Sequence, residues 1–340
     1  MSSRVRLGKS EIIADKNGFG ALPIQRISVE EAGKLLRKAY ESGINFFDTA
    51  RAYTDSEYKI GEALADVRHE IIIASKSAAA TGEAMKADLE TSLRELKTDY
   101  IDLYQLHNVM YCPKPGGEDG LYDALLEAKA SGKIRHIGIT THRVNVAREI
   151  IESGLYETLQ YPLSYLSDEK DLELVKLCEE ADMGFIAMKA MAGGLLTNGR
   201  AAYAYMDQLS NVLPIWGVQR EAELDEFLGC AVNTPKMEDP ETAAVIEKDR
   251  QELTGEFCRG CGYCLPCPAG IEINNCARMM LMVRRAPSAP WLSEESQAKM
   301  ERITECVECG QCQSRCPYGL DAPALMRKNL EEYRRHLQTL

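Results

Sequence analysis

Eight short runs rich in apolar and β-branched residues, at 18–21, 44–48, 71–75, 100–105, 136–140, 158–161, 185–188 and 212–217, recur along the chain with helical patterns between them. Repeats of this kind make the strands parallel, because each intervening helix carries the chain back across the sheet. The helical stretches bear signals of their own. Ser28 and Glu31 make a capping box at the start of helix 28–41, and Met85, Leu89, Leu93 and Leu96 fall at helical spacing within 82–96. Eight βα units in roughly 220 residues predict an α/β fold, a (β/α)8 TIM barrel, rather than a doubly wound sheet. The G-x-G-x-x-G string that opens a Rossmann helix does not occur in the sequence, so a dinucleotide must be held by another geometry.

Past the last run the chain changes character. Residues 1–232 carry the barrel pattern. Within 233–256, residues 233–239 read as a linker and 240–253 as a connecting helix. Residues 257–340 form a cysteine-rich module closed by a charged helix over 322–337. Of the 12 cysteines, eight stand in two runs: Cys258, Cys261, Cys264 and Cys267 ahead of Pro268, and Cys306, Cys309, Cys312 and Cys316 ahead of Pro317. The second run is C-x2-C-x2-C-x3-C-P, the bacterial two-cluster signature, whose fourth cysteine ligates the other cluster. That pattern assigns Cys258, Cys261, Cys264 and Cys316 to one [4Fe–4S] cluster and Cys306, Cys309, Cys312 and Cys267 to a second, in an α-helical, bacterial-ferredoxin-like domain. Pairs of C-x2-C also build zinc sites, but eight ligands in two proline-terminated runs favour iron–sulfur. Cys112, Cys178, Cys230 and Cys276 follow no ligand spacing and read as small buried hydrophobes. Cys112 falls in the long loop after the fourth run, near the expected site.

A formal net charge of -12 argues against nucleic acid as a partner, since proteins that bind phosphate backbones cluster lysine and arginine. No apolar run approaches the ~18 residues of a spanning helix, and the charged N-terminus does not read as a secretory signal. The expectation is a soluble, cytoplasmic protein without membrane contact.

In a TIM barrel the chemistry sits at the carboxyl ends of the strands. Asp48 ends the second run, Tyr53 lies in the loop that follows, Lys76 follows the third run and His107 the fourth. Taken singly, each has an ordinary explanation as a turn aspartate, a packing tyrosine or a solvated lysine. Independent structural roles would not gather them at one end of consecutive strands, and together they compose an acid–base set. A phenol is a poor acid at neutral pH, and an adjacent ammonium lowers its pKa. Lys76 supplies that charge, Asp48 holds the lysine, and His107 donates to a substrate carbonyl while Tyr53 transfers the proton.

The strings that carry these residues, NFFDTARAY at 45–53, IIASK at 72–76 and DYIDLYQLH at 99–107, together with GKIRHIG at 132–138, closely resemble the aldo-keto reductases over about the first 230 residues. A barrel followed by two cysteine runs resembles the ferredoxin-fused branch of that family. The resemblance implies a hydride passed between NAD(P)H and a carbonyl carbon, with Tyr53 as general acid for reduction and base for the reverse. It implies that Gln160 binds the carboxamide, that Thr140 and Thr141 stand where a Ser-Asn pair is usual, and that Met191, Gly193, Gly194 and Leu195 wrap the pyrophosphate. Lys189 precedes that loop where serine or tyrosine is common. Gln219, Arg220, Glu223 and Phe227 fall in the segment that holds the adenosine phosphate. Glu223 and Phe227 replace amides there, and a carboxylate beside a 2′-phosphate is repulsive. The aromatic that stacks on the nicotinamide is replaced by Leu163, which leaves Tyr161 or Tyr165 to substitute, or no stack. These departures point to NADH, or to weak or lost nicotinamide binding.

Hydride transfer moves two electrons together whereas each cluster carries one, and no motif demands a flavin to convert between them. The favoured reading is an aldo-keto reductase-type oxidoreductase of a small-molecule carbonyl or alcohol, whose clusters are structural or relay electrons to a ferredoxin or other redox protein. The alternative is a cluster-fed, one-electron reductase of an organic substrate in the barrel. A third reading, an electron-transfer scaffold with a vestigial barrel, conflicts with the complete set of four residues.

Overall fold

The computed structural model describes residues 4–253, 257–285 and 288–339. The chain divides into two compact units, Met1–Ala190 with Gly199–Thr242, and Met191–Asn198 with Ala243–Leu340.

In the first unit an antiparallel hairpin, β1 (Arg4–Arg6) and β2 (Ile13–Asp15), precedes the eight strands β3 (Gly18–Gly20), β4 (Phe46–Asp48), β5 (Ile72–Ser77), β6 (Ile101–Leu106), β7 (Ile134–Thr140), β8 (Thr158–Pro162), β9 (Gly184–Met188) and β10 (Val212–Gly217). All eight run parallel, and β10 pairs back on β3 to close the barrel. Helices α1 (Val29–Glu41), α2 (Ser56–Leu64), α3 (Gly82–Glu95), α4 (Leu121–Ala130), α5 (Val144–Ser153), α6 (Glu169–Glu180), α7 (Gly199–Asp207) and α8 (Glu221–Val232) follow the strands in turn. This is the (β/α)8 TIM barrel. The Ser28 capping box forms as expected: the Ser28 hydroxyl accepts from the Glu31 amide at 3.1 Å, and Glu31 Oε2 accepts from the Ser28 amide at 2.9 Å.

The strand period of two separates what fills the barrel from what faces the helices. Phe46, Ala74, Leu103, Ile186 and Leu213, from five strands, pack in one cluster with Val5, Leu7, Ile12 and Ala14 of the hairpin region. The hairpin thus plugs the amino-terminal end of the barrel. Two residues further along three of these strands the inward positions turn polar: Asp48 after Phe46, Lys76 after Ala74, Gln105 after Leu103. Register sets these side by side, with Lys76 opposite Gln105, Gln105 opposite Gly138, and Thr140 opposite Gln160. A Cβ at Gly138 would stand 2.4 Å from Thr158 Oγ1 and 2.9 Å from Gln105 Cγ, so glycine is what leaves room for the glutamine.

The second unit is helical: α9 (Pro240–Glu252), α10 (Ile273–Cys276), α11 (Met279–Arg285), α12 (Glu294–Glu301), α13 (Gln311–Ser314) and α14 (Ala322–Leu337). Asp321 caps α14 by accepting from the Ala324 amide at 3.0 Å. Met326, Leu330 and Tyr333, spaced for one helical face, join Ile273, Met279, Met280, Met300 and Ile303 in a small core that reaches Cys264, Cys276 and Cys312. Among the described residues no helix is long and apolar enough to cross a membrane.

Candidate active site and cluster pockets

The polar layer at the carboxyl end of the barrel brings together the four residues singled out in the sequence. Lys76 Nζ donates to Asp48 Oδ1 at 2.7 Å and to the Thr49 carbonyl at 2.6 Å, and both charged side chains are buried. The same nitrogen lies 5.0 Å from the centre of the Tyr53 ring. That ring meets the His107 imidazole edge-on, with centroids 5.8 Å apart. Burial is the largest influence on Lys76 and favours its discharge, but Asp48 and Tyr53 outweigh it and hold the ammonium above its ordinary range. Burial raises the Asp48 carboxyl against the pull of Lys76. Burial, then Lys76 and Lys189, push His107 down to about 3, so at neutral pH it is an uncharged imidazole. Its Nδ1 is buried without a partner among the described residues.

Tyr53 departs from expectation. Lys76 does pull its pKa down, but burial, with Asp48 adding to it, raises the phenol above its usual value. The sequence alone accounts for the ammonium and not for the loss of water around the hydroxyl.

A second layer holds the Tyr53 loop and escaped the sequence reading. Glu57, on α2 and buried, accepts from Ser75 Oγ at 2.5 Å through one oxygen and from Arg51 through the other. Arg51 is held in turn: its amide donates to the Lys76 carbonyl at 2.9 Å and its Nη2 to the Thr54 carbonyl at 3.3 Å. Glu57 therefore joins the strand that carries Lys76 to the loop that carries Tyr53. The available signal was a glutamate four residues after Tyr53 on the face of α2 that turns toward the barrel.

The eight cysteines of the two runs are sorted by fold rather than by run. Cys258, Cys261, Cys264 and Cys316 line one pocket, with Arg259 and Tyr318 at its wall. Cys267, Cys306, Cys309 and Cys312 line another. Cys264 and Cys312 border both. Among the described residues no three His, Cys, Asp or Glu side chains are arranged to hold a single metal ion. Cys112, Cys178, Cys230 and Cys276 are all buried.

Residues 16–211 match the aldo/keto reductase family and residues 257–321 match a 4Fe-4S dicluster domain. The chain belongs to the aldo-keto reductase family. An "Uncharacterized oxidoreductase YqkF" of Bacillus subtilis (strain 168) is 33% identical over 211 residues, which is 56% of this chain and 66% of that protein. The "NADH-specific methylglyoxal reductase" of Escherichia coli (strain K12) is 25% identical over 252 residues, 64% of this chain and 76% of that one. The chain thus spans just under two thirds of the length of its Bacillus relative. Among solved structures, the aldo-keto reductase AKR11C1 from Bacillus halodurans (holo form) superposes with a TM-score of 0.63 at 24% identity, over 73% of this chain and 96% of that one, a likeness of fold.

The positions that the family resemblance assigns to nicotinamide are unevenly preserved in this aldo-keto reductase. Gln160 is buried, and its Oε1 accepts from Gln105 Nε2 at 2.9 Å. The Thr140 hydroxyl accepts from the Asn108 amide at 2.7 Å. The Thr141 hydroxyl donates to the Val109 carbonyl at 3.0 Å and accepts from the Arg143 amide at 3.2 Å, so the loop uses most of its capacity. Lys189 sits at φ +58, strained for a residue with a Cβ. Met191, Gly193 and Gly194 belong to the second unit, with the two glycines at φ +67 and +92. Glu223 Oε2 accepts from the amides of Gln219 and Arg220 at 3.0 and 3.1 Å, and its Oε1 pairs with Arg220 Nη2 at 2.6 Å. Phe227 is a packing residue: it stacks on Trp216 at 4.3 Å, and Trp216 stacks on Tyr203. The two tyrosines offered as stacking rings have partners within the barrel. Tyr161 donates to Asp171 on α6 at 2.9 Å, and Tyr165 packs edge-on against Tyr205.

Proposed function

We propose that this aldo-keto reductase moves a hydride between NADH and the carbonyl carbon of a small-molecule substrate, and that its C-terminal domain carries two [4Fe–4S] clusters. The Asp48–Lys76–Tyr53–His107 grouping carries this reading. The neutral His107 donates to the carbonyl oxygen and sets its position. Tyr53, which holds its proton firmly at neutral pH, gives it up only as negative charge develops on that oxygen, and Lys76 then stabilises the phenolate left behind. In the reverse direction Tyr53 takes the alcohol proton. Bound nicotinamide supplies the hydride, and bound clusters supply one-electron steps, structural support, or both.

The preference for NADH rests on Arg220. Its guanidinium is already neutralised by Glu223, so a 2′-phosphate meets a satisfied ion pair rather than a free cation; the Escherichia coli relative named NADH-specific is consistent with this. The crossed division of eight thiols between two pockets supports two cubanes, with the ligand sets Cys258, Cys261, Cys264, Cys316 and Cys306, Cys309, Cys312, Cys267. Thiols kept for iron suit the reducing cytoplasm.

Leu163 at the position of the nicotinamide-stacking ring favours a second reading, in which electrons arrive singly through the clusters from a ferredoxin. Anaerobic titration of the holoprotein with NADH, then NADPH, separates the two. Nicotinamide binding with unchanged cluster absorbance supports hydride transfer, bleaching of the clusters demands a two-electron converter such as a flavin, and no binding of either nucleotide sinks the first reading.

A further inference from the structure

Within the second unit, two arginines grip the backbone of Met191–Asn198. Arg278 Nη1 donates to the Gly193 carbonyl at 2.9 Å, and Arg285 Nε donates to the Leu195 carbonyl at 2.7 Å. Arg285 is itself fixed by Asp249 and by Glu252, the latter at 2.5 Å. Arg278 also packs on the first cysteine run. Gly260, between Cys258 and Cys261, adopts φ +67, and a Cβ there would stand 2.4 Å from the Arg278 guanidinium. The Gly260 amide in turn donates to Cys258 Sγ at 3.4 Å. Gly193 is close to the same run, since a Cβ there would lie 3.0 Å from the Arg259 carbonyl.

We infer that Arg278 is a positioning residue that ties the conformation of the Gly193–Gly194 turn to cluster loading at Cys258, Cys261, Cys264 and Cys316. Residues 257–262 form no helix or strand of their own. Ligation is what would give that loop its rigidity, and the rigid loop gives Arg278 the wall it packs on. The two glycines hold left-handed backbone, which aims their N–H groups. When the wall loosens, those directions scatter, and an anion bound there loses a preorganised cradle. The inference rests on the proposed function in taking this turn as the pyrophosphate loop and the cysteines as cluster ligands.

The test is amide hydrogen exchange over 191–198 in anaerobic holoprotein, Arg278→Met and Cys316→Ser, beside NADH affinity from nicotinamide fluorescence. Expected in both variants are faster exchange in 191–198, unchanged protection of 72–77, and NADH binding weakened on the order of tenfold. Unchanged exchange in an iron-replete Arg278→Met protein overturns the inference. If that variant loses iron, Arg278→Lys, which keeps the charge and loses the fork, decides in the same way. Failure of wild-type protein to bind NADH overturns the proposed function alone, because the exchange comparison still reads the role of Arg278.

Discussion

Lys76 and Asp48 are only 1% and 3% exposed at their side chains, and this changes what a substitution does. From sequence, Lys76→Met should cost turnover far more than stability. With the pair buried, it leaves a carboxylate without its cation in a dry site, a loss of about 3–5 kcal/mol. Thermal melts should therefore show a large fall for Lys76→Met, and the double change Asp48→Asn with Lys76→Met should recover much of it while turnover stays low. Tyr53→Phe should leave the melt nearly unchanged and lower turnover by about 10²–10⁴. His107 makes a pH prediction. Its folded value of about 3 lies below the ordinary value near 6.5, so at intermediate pH the unfolded chain binds a proton that the folded chain does not. Stability is therefore lost as pH falls from about 7 toward 3. His142, also lowered by burial, acts in the same sense, while Asp15, raised by burial to about 6, acts in the opposite one. The His107→Gln variant isolates the term: its melting temperature should drop less than that of wild type between about pH 7 and pH 5.

At the scale of elements, the start of α8 is the informative one. Glu223 binds the two preceding amides and the Arg220 side chain at once, so a helix cap doubles as a charge trap. Glu223→Gln keeps a capping side chain and frees Arg220. The ratio of NADPH to NADH affinity should rise on the order of tenfold, one charge-assisted contact's worth, with little change in the melt. An unchanged ratio would mean that Arg220 does not face the adenosine ribose. The eight strands and the capped α1 were legible because short apolar, β-branched runs, helical spacing and a Ser-x-x-Glu box are written locally. The hairpin β1–β2 was not, since three residues a side are too few to show a period. Its role as a plug depends on partners from five distant strands.

Over the whole molecule, the crossed sorting of cysteines predicts a pattern in iron content. Cys267 belongs to the first run but shares a pocket with the cysteines of the second. Iron per chain should fall by about half in Cys267→Ser, as expected for one cubane of two. The double variant Cys267→Ser with Cys309→Ser should lose no more, whereas Cys267→Ser with Cys258→Ser should lose nearly all. Ligation run by run would reverse the two doubles.

The sequence by itself determined the barrel, the helical module and the identity of the residues that meet at the strand ends, because periodicity, caps and cysteine spacing are properties of neighbours along the chain. It even held the fate of Tyr161, whose ring must point to the helices if Gln160 points inward. Only the tertiary structure decided that Glu57 and Arg51 brace the Tyr53 loop, that Phe227 stacks on Trp216, that Glu223 consumes Arg220, and that Tyr53 is a weaker acid than Lys76 alone would make it. Each of these turns on side-chain geometry that only the folded chain fixes. Burial belongs to the closed barrel and not to any segment, and at Tyr53 it outweighs the neighbouring ammonium.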